Sequence, residues 1–270
     1  PLQSKTSLII EKNMPVASSN LKVLGIIPSR FASTRLEGKP LLDIQGQTMI
    51  ERVYRQCLKC HSLSKVVVAT DDIRIFSECQ SKNIEVVLTS GEHQNGTERC
   101  AEVLEKINEE YDLVVNIQGD EPFIHPESIA EIIEIFQKQP TAEIGSLKKR
   151  IISHSDIFNP SIIKVVSDIH DKALYFSRST IPHLRGVDNA DYLKSKAFFK
   201  HIGLYAYKPH ILRKIVQLPE SENEAYEKLE QLRWLDNGYS ICLAETKHES
   251  KSIDTEEDYQ YILKNISNYE

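Results

Sequence analysis

The sequence predicts an α/β fold, with a central, mostly parallel sheet, helices on both faces and a mixed β extension. Three observations carry this. From residue 23 to residue 138, strand-like apolar runs alternate with segments of helical periodicity, the pattern of a parallel sheet with crossover helices. The strands are unbroken apolar runs, as expected when both faces are covered. After Pro140 the alternation gives way to "IIKVVSD", "ALYFSRS" and "HIGLYAY", which are strand-like and closely spaced.

The elements follow in order. "VLGII" (23–27) is the first strand. A helix over about 48–60 comes next, with Ile50, Val53, Tyr54, Cys57 and Leu58 on one face. "KVVVAT" (65–70), a short helix from Asp72 and "IEVVLT" (84–89) continue the rhythm. A helix at about 97–110 buries Cys100, Val103, Leu104 and Ile107, and "DLVVNIQ" (112–118) is the next strand. The helix at about 126–138 presents Ile129, Ile132, Ile133 and Phe136. "SDIHDKA" reads as a hairpin turn, and a last long helix over about 223–236 leads to the strand "YSICLA". Residues 1–20 are expected to be a poorly ordered extension, and 21–270 a single domain.

Composition excludes several classes. The chain of 270 residues carries a net charge of -6, which argues against a general nucleic-acid surface. No run approaches the roughly 20 apolar residues of a membrane span. Five scattered cysteines make no disulfide framework and point to a reducing, cytoplasmic setting. "CLKCH" (57–61) matches a haem-attachment pattern. Its flanks are those of an amphipathic helix, which puts Cys57 in the core and Cys60 on a flank. Zinc there lacks a second ligand pair.

The chemistry is expected in loops beyond the carboxyl ends of the strands. "IIPSRFASTRLEGKPLL" (26–42) packs Arg30, Arg35 and Lys39 into the turn after the first strand. Two guanidinium forks and one compact charge suit a phosphate chain. The spacing matches neither a Walker A loop nor G-x-G-x-x-G. "NIQGDEP" (116–122) sets Asp120 at the same edge, and magnesium favours one or two carboxylates with phosphate oxygens. In "SIDTEED" (252–258), Asp254 reads as a helix cap or as a metal ligand. In "HQNGTER" (93–99), Thr97 reads as a helix cap or as part of a ligand-facing turn. On the last helix Ala225, Leu229 and Leu232 form the core stripe. Glu227, Glu230, Gln231 and Trp234 lie on another face, read as a sugar-facing surface or a solvated one.

Together, "IIPSRFASTRLEGKPL", "VATDD", "NGTER", "VNIQGDEPFI", "FNPSIIKVVSD", "ALYFSRSTIP", "KHIGLYAY", "LEQLRWLDNGY" and "SIDTEED" resemble the 3-deoxy-manno-octulosonate (Kdo) cytidylyltransferases, over about residues 21–265. The resemblance implies a Rossmann-like nucleotide-diphospho-sugar transferase fold, with a mixed sub-region at about 145–215 for sugar binding and dimer contacts. It implies conversion of Kdo and CTP to CMP-Kdo and pyrophosphate for lipopolysaccharide biosynthesis, with Mg2+ and a homodimer. It further implies that Arg30, Arg35 and Lys39 hold the triphosphate, with Thr97 and Arg99 by the nucleotide. Asp120 and Asp254 would bind the metal, and Lys39, Arg35, Asp120 and Asp254 would form the catalytic set. Gln118, Arg178, His201, Tyr205, Glu230 and Gln231 would surround the sugar, with Arg178 suited to its carboxylate.

Three positions depart from the family pattern: Glu37, Ser252 and Glu256. Glu37 is expected to face solvent. Ser252 would displace Asp254 if that position required a positive φ. Rival readings are a sialic acid or 8-amino-Kdo transferase and a nucleotide-binding module without chemistry.

Overall fold

The computed structural model describes residues 21–32 and 35–269; the expected extension at 1–20 lies outside them. The first half comprises β1 (Val23–Ser29), a two-residue ladder of β2 (Asp43–Ile44) and β3 (Gln47–Thr48), α1 (Met49–Leu58), β4 (Lys65–Thr70), α2 (Ile73–Ser81), β5 (Val86–Leu88), α3 (Gly96–Lys106), β6 (Leu113–Asn116) and α4 (Pro126–Lys138). The second half comprises β7 (Ile144–Arg150), α5 (His154–Phe158), β8 (Lys164–Ser167), β9 (Ala173–Ser177), β10 (Phe199–Tyr207), α6 (Pro209–Ile215), α7 (Glu222–Glu227), α8 (Gln231–Asp236), β11 (Ile241–Glu245) and α9 (Glu256–Lys264).

The sheet runs β11-β7-β10-β6-β1-β4-β5, with the β8–β9 hairpin attached through β10. Neighbours along this path are parallel except at β10, which is antiparallel to both β6 and β7. Alternate residues of β1 enter opposite cores. Val23 and Ile27 pack with α1 and α4, while Leu24 and Ile26 pack toward α3 and α6. A strand buried on both faces in this way has no polar side, which is why its sequence is continuously apolar.

Several expectations are corrected. "HIGLYAY" belongs to the main sheet, inserted between β6 and β7, and not to a peripheral extension. β7, "IGSLKKR", had no apolar signal at its outer end. Lys148 is nevertheless buried there, donating to Ser167 Oγ and Asp171 Oδ1 at 2.7 Å each. The expected helix over 223–236 is two short helices, because Lys228 adopts a left-handed conformation (φ 53°). Trp234 is 1% exposed, packed edge-on against Tyr205 and Tyr207. It belongs to the core, and Gln231 is buried too, so of that face Glu230 alone reaches the cleft described below. Leu58 is 55% exposed at the end of α1, whereas Cys60 is buried.

Candidate active site

Four segments meet at the carboxyl edge of β1 and β6. After β1 the chain turns through Arg30 and Phe31 and returns at Gly38, whose N–H donates to Phe31 O at 2.9 Å. Gly38 has φ 68°, and a Cβ there would stand 2.9 Å from the Phe31 ring, so glycine is required on both counts. A 3-10 turn, Lys39–Leu41, follows and aims Lys39 back at the sheet edge. After β6, Gly119 passes so close to β1 that a Cβ would lie 2.7 Å from Pro28 O. That approach sets Asp120 beside the cation loop. Opposite, Ile253 is buried with Ile44, Met49 and Phe123, and its N–H donates to Asp120 O at 2.9 Å. Asp254 is thereby anchored next to Asp120.

Lys39 Nζ donates to Asp120 Oδ2 at 2.8 Å, to Asp254 Oδ1 at 3.1 Å and to Ile253 O at 3.2 Å. Arg35 Nη2 donates to the same Asp254 Oδ1 at 3.0 Å. Burial opposes the Lys39 charge, but Asp120 and Asp254 more than offset it and hold its pKa above the ordinary lysine value. Arg30 Nη2 donates to His93 O at 2.5 Å, tying the loop to the segment before α3.

The helix cap of α9 is Thr255, which forms a capping box with Asp258. Asp254 is therefore free of that duty and turns to the cations. Ser252 is not among the described residues with positive φ, and Glu37 is exposed; neither departure distorts the carboxylate pair. At α3 the cap is Asn95, which accepts from Glu98 N–H, not Thr97. Thr97 instead donates to Glu230 Oε2 at 2.9 Å.

A cleft of about 580 Å³ is lined by Arg30, Arg35, Lys39, Thr97, Gln118, Asp120, Tyr205, Glu230 and Asp254, with Asn95 and Asn116. A neighbouring lobe of about 350 Å³ shares the cations and both carboxylates and adds Ser29 and Gly119. A β-bulge between Ile202 and Tyr205 exposes Gly203 O, which accepts from Gln118 Nε2 at 2.9 Å. Glu230 is raised to about 7, chiefly by burial. The Tyr205 hydroxyl is buried without a hydrogen-bond partner, so it has capacity for a ligand.

Four expected site residues do not line this cleft. Arg99 is fully buried and donates to Thr89 Oγ1 and Ser90 O, with Asp71 at 3.3 Å. It braces the loops after β4 and β5 from behind. Arg178 donates to the carbonyls of Glu227, Pro160 and Lys228. His201 shares a hydrogen bond with Ser146 Oγ at 2.9 Å, and burial lowers its pKa to about 3, which removes it as a general base near neutrality. Gln231 is buried at the start of α8. Sequence reasoning missed Asn95 and Asn116. Asn95 had a signal, since Asn directly before Gly-Thr suits an N-cap.

The donor set fits a divalent hard cation. Two carboxylate oxygens from different loops converge on one point now held by an ammonium, in a cleft open enough for phosphate oxygens to complete the shell. A phosphate-sized basic cradle at the carboxyl edge of a parallel sheet, with paired carboxylates, defines a nucleotidyltransferase. A cytidylyltransferase family model matches residues 24–247. A 3-deoxy-manno-octulosonate cytidylyltransferase of Parabacteroides distasonis is 49% identical, covering 92% of this chain and 99% of that protein. One of Cytophaga hutchinsonii is 48% identical over 89% and 96%. A solved CMP:2-keto-3-deoxy-manno-octonic acid synthetase complexed with CTP superposes with a TM-score of 0.84 at 36% identity, covering 92% of this chain and 99% of that one. The chain belongs to the 3-deoxy-manno-octulosonate cytidylyltransferase family.

Proposed function

We propose that the cleft joins CTP to Kdo, giving CMP-Kdo and pyrophosphate and supplying an activated sugar for lipopolysaccharide biosynthesis. The carrying observation is the convergence of Arg35, Lys39, Asp120 and Asp254 in one cleft with Thr97, Gln118, Tyr205 and Glu230. The anomeric 2-hydroxyl of Kdo attacks the α-phosphorus of CTP and pyrophosphate leaves. Positioning and charge neutralisation supply most of the rate in such a transfer.

Arg30, Arg35 and Lys39 hold the triphosphate and offset charge that builds on the leaving pyrophosphate. The cap and first turn of α3, Asn95 to Thr97, face the nucleotide. Gln118, Tyr205 and Glu230 take the sugar. Glu230, at about 7, is matched to accept a proton at neutral pH. Asp120 and Asp254 would hold Mg2+, which when bound neutralises phosphate charge and lowers the pKa of a nearby hydroxyl. Arg178, His201 and Gln231 act in this reading by shaping the wall behind the sugar, and Arg99 by fixing the wall behind the nucleotide.

Homodimerisation is part of the proposal. Ile169 and Leu174 on the β8–β9 hairpin and Ile152 after β7 are exposed, which supports a self-association surface in the mixed region. The proposal places the enzyme in the cytoplasm; among the described residues no helix is long and apolar enough to cross a membrane.

The test is pyrophosphate release from CTP and Mg2+ with Kdo, 8-amino-Kdo or a sialic acid in parallel. Release with Kdo is expected. Release with another sugar alone would move the specificity, and none with any sugar would overturn the reading.

A further inference from the structure

His125, Glu127 and His248 bring their ligand atoms within 4.8 Å of one another, and none of the three lines the nucleotide cleft. Their placement is specific. His125 occupies the cap position of α4 without capping it, and Glu127 follows in the first turn. His248 lies on the segment after β11. The two imidazoles pack at 4.9 Å between ring centroids. Among the described residues, neither imidazole nor the Glu127 carboxylate makes a hydrogen bond or an ion pair. Three donors thus face one another with no competing partner.

The chemistry of the set is selective. Two imidazoles and one carboxylate suit a zinc-class transition ion, whereas magnesium takes an all-oxygen shell. Bonds of about 2.0–2.1 Å would need the three side chains to close by roughly 1 Å, within rotamer adjustment.

The location gives the set a consequence. His125 ends the segment that starts at Asp120, and His248 starts the segment that ends at Asp254. These two segments already touch through Ile253 N–H to Asp120 O and Ser250 Oγ to Glu121 Oε2. We infer that His125, Glu127 and His248 form a second divalent-metal site, for a zinc-class ion, which clasps the two loops that carry Asp120 and Asp254. Magnesium at the carboxylate pair and zinc at the clasp are then separate events, and the inference stands whichever sugar the enzyme takes.

The test uses the full chain, freed of metal by chelation and titrated with Co2+ as a visible probe of a nitrogen-containing site. One equivalent with a d–d band is expected, displaced by Zn2+ and unaffected by millimolar Mg2+. His248→Ala and His125→Ala should weaken it about 100-fold or more, while Asp254→Ala should leave it intact. Zn2+ at a hundredfold excess over Kd should raise the wild-type Tm by roughly 5–10 °C and leave the His variants unmoved. Equal binding and spectra in wild type and His248→Ala, or no band in wild type, would overturn the inference. Should a variant fail to fold, carbethoxylation of the wild type decides. Zinc protection of His125 and His248, read by peptide mass, supports the site, and full modification of both sinks it.

Discussion

Lys39 Nζ stands 2.8 Å from Asp120 Oδ2, and the same ammonium reaches Asp254 at 3.1 Å. The lysine therefore occupies the meeting point of the two carboxylates that are proposed to share a divalent ion. On that proposal Lys39 would have to yield this place to the ion, and phosphate oxygens of a bound triphosphate would offer its ammonium another anionic partner.

Lys39→Met should separate these roles. Without CTP, the variant's carboxylates lose the Lys39 charge, with only Arg35 left on Asp254, and should bind Mg2+ about 10-fold more tightly than wild type, since close unit charges interact strongly at the low effective dielectric of such a cleft. The readout is the Mg2+-dependent rise in Tm. Turnover should fall by about 10²–10³, the scale of removing one preorganised charge from a transition state. Equal Mg2+ stabilisation of both proteins would show that the lysine and the ion do not compete.

Gly119→Ala tests the close approach of the β6 loop to β1. The added Cβ would meet Pro28 O at 2.7 Å, and a backbone oxygen in a central strand cannot swing aside. The loop must shift and carry Asp120 with it. A stability loss of about 1–3 kcal/mol is expected from the overpacking. Turnover should drop by about 10², because misplacement on the scale of 1 Å costs that much. A variant with normal kcat would mean that Asp120 tolerates displacement.

The cation loop and "NIQGDEP" were legible because their chemistry sits in sequence beside the strands that position it. The parallel strands were legible for the same local reason, since burial on both faces leaves no polar alternation to confuse. What was not legible depends on distant partners. The family resemblance set Arg99 by the nucleotide and Arg178 by the sugar, yet Arg99 Nη1 is taken up by Thr89 and Ser90, and the Arg178 fork by the carbonyls of Pro160, Glu227 and Lys228. β7 was hidden because Lys148 is neutralised by Asp171, on a hairpin not yet formed in any local window. The helix break at Lys228 has no glycine or proline to announce it.

That break is held by an ion pair. Arg233 Nε and Nη2 grip Glu224 at 2.6 and 2.7 Å, and Nη1 donates to Leu218 O at 2.9 Å. The pair joins α7 to α8 across the turn that carries Glu230, and both side chains are mostly buried. Removing one partner of such a pair strands the other, so Arg233→Ala should cost about 3–5 kcal/mol in denaturant unfolding. The double variant Glu224→Leu/Arg233→Met should recover most of it. The sugar KM should rise in the single variant more than that for CTP. Additive losses in the double variant would show that the two side chains act independently.

Glu230 predicts a pH signature with a definite sign. Burial raises its carboxyl from 4.5 to about 7, with the Thr97 hydroxyl pulling in the other direction. Between those values the folded protein keeps a proton that the unfolded chain has released. Its stabilising contribution is full below pH 4.5 and is lost as pH rises through about 7, at most on the order of 3 kcal/mol. Glu121, also raised to about 7 by burial, acts in the same sense. His201 opposes them: lowered from 6.5 to about 3, it contributes stability above 6.5 that is lost as pH falls. The wild-type curve is a composite, so the informative quantity is the difference from Glu230→Gln. That variant keeps an acceptor for Thr97 and has no charge to bury. Its Tm should match wild type near pH 4.5 and exceed it by roughly 5–10 °C at pH 8, while the sugar KM rises. Parallel curves across that range would mean that Glu230 titrates alike in the folded and unfolded chain, and the match to neutral pH on which its proposed proton-accepting role rests would be lost.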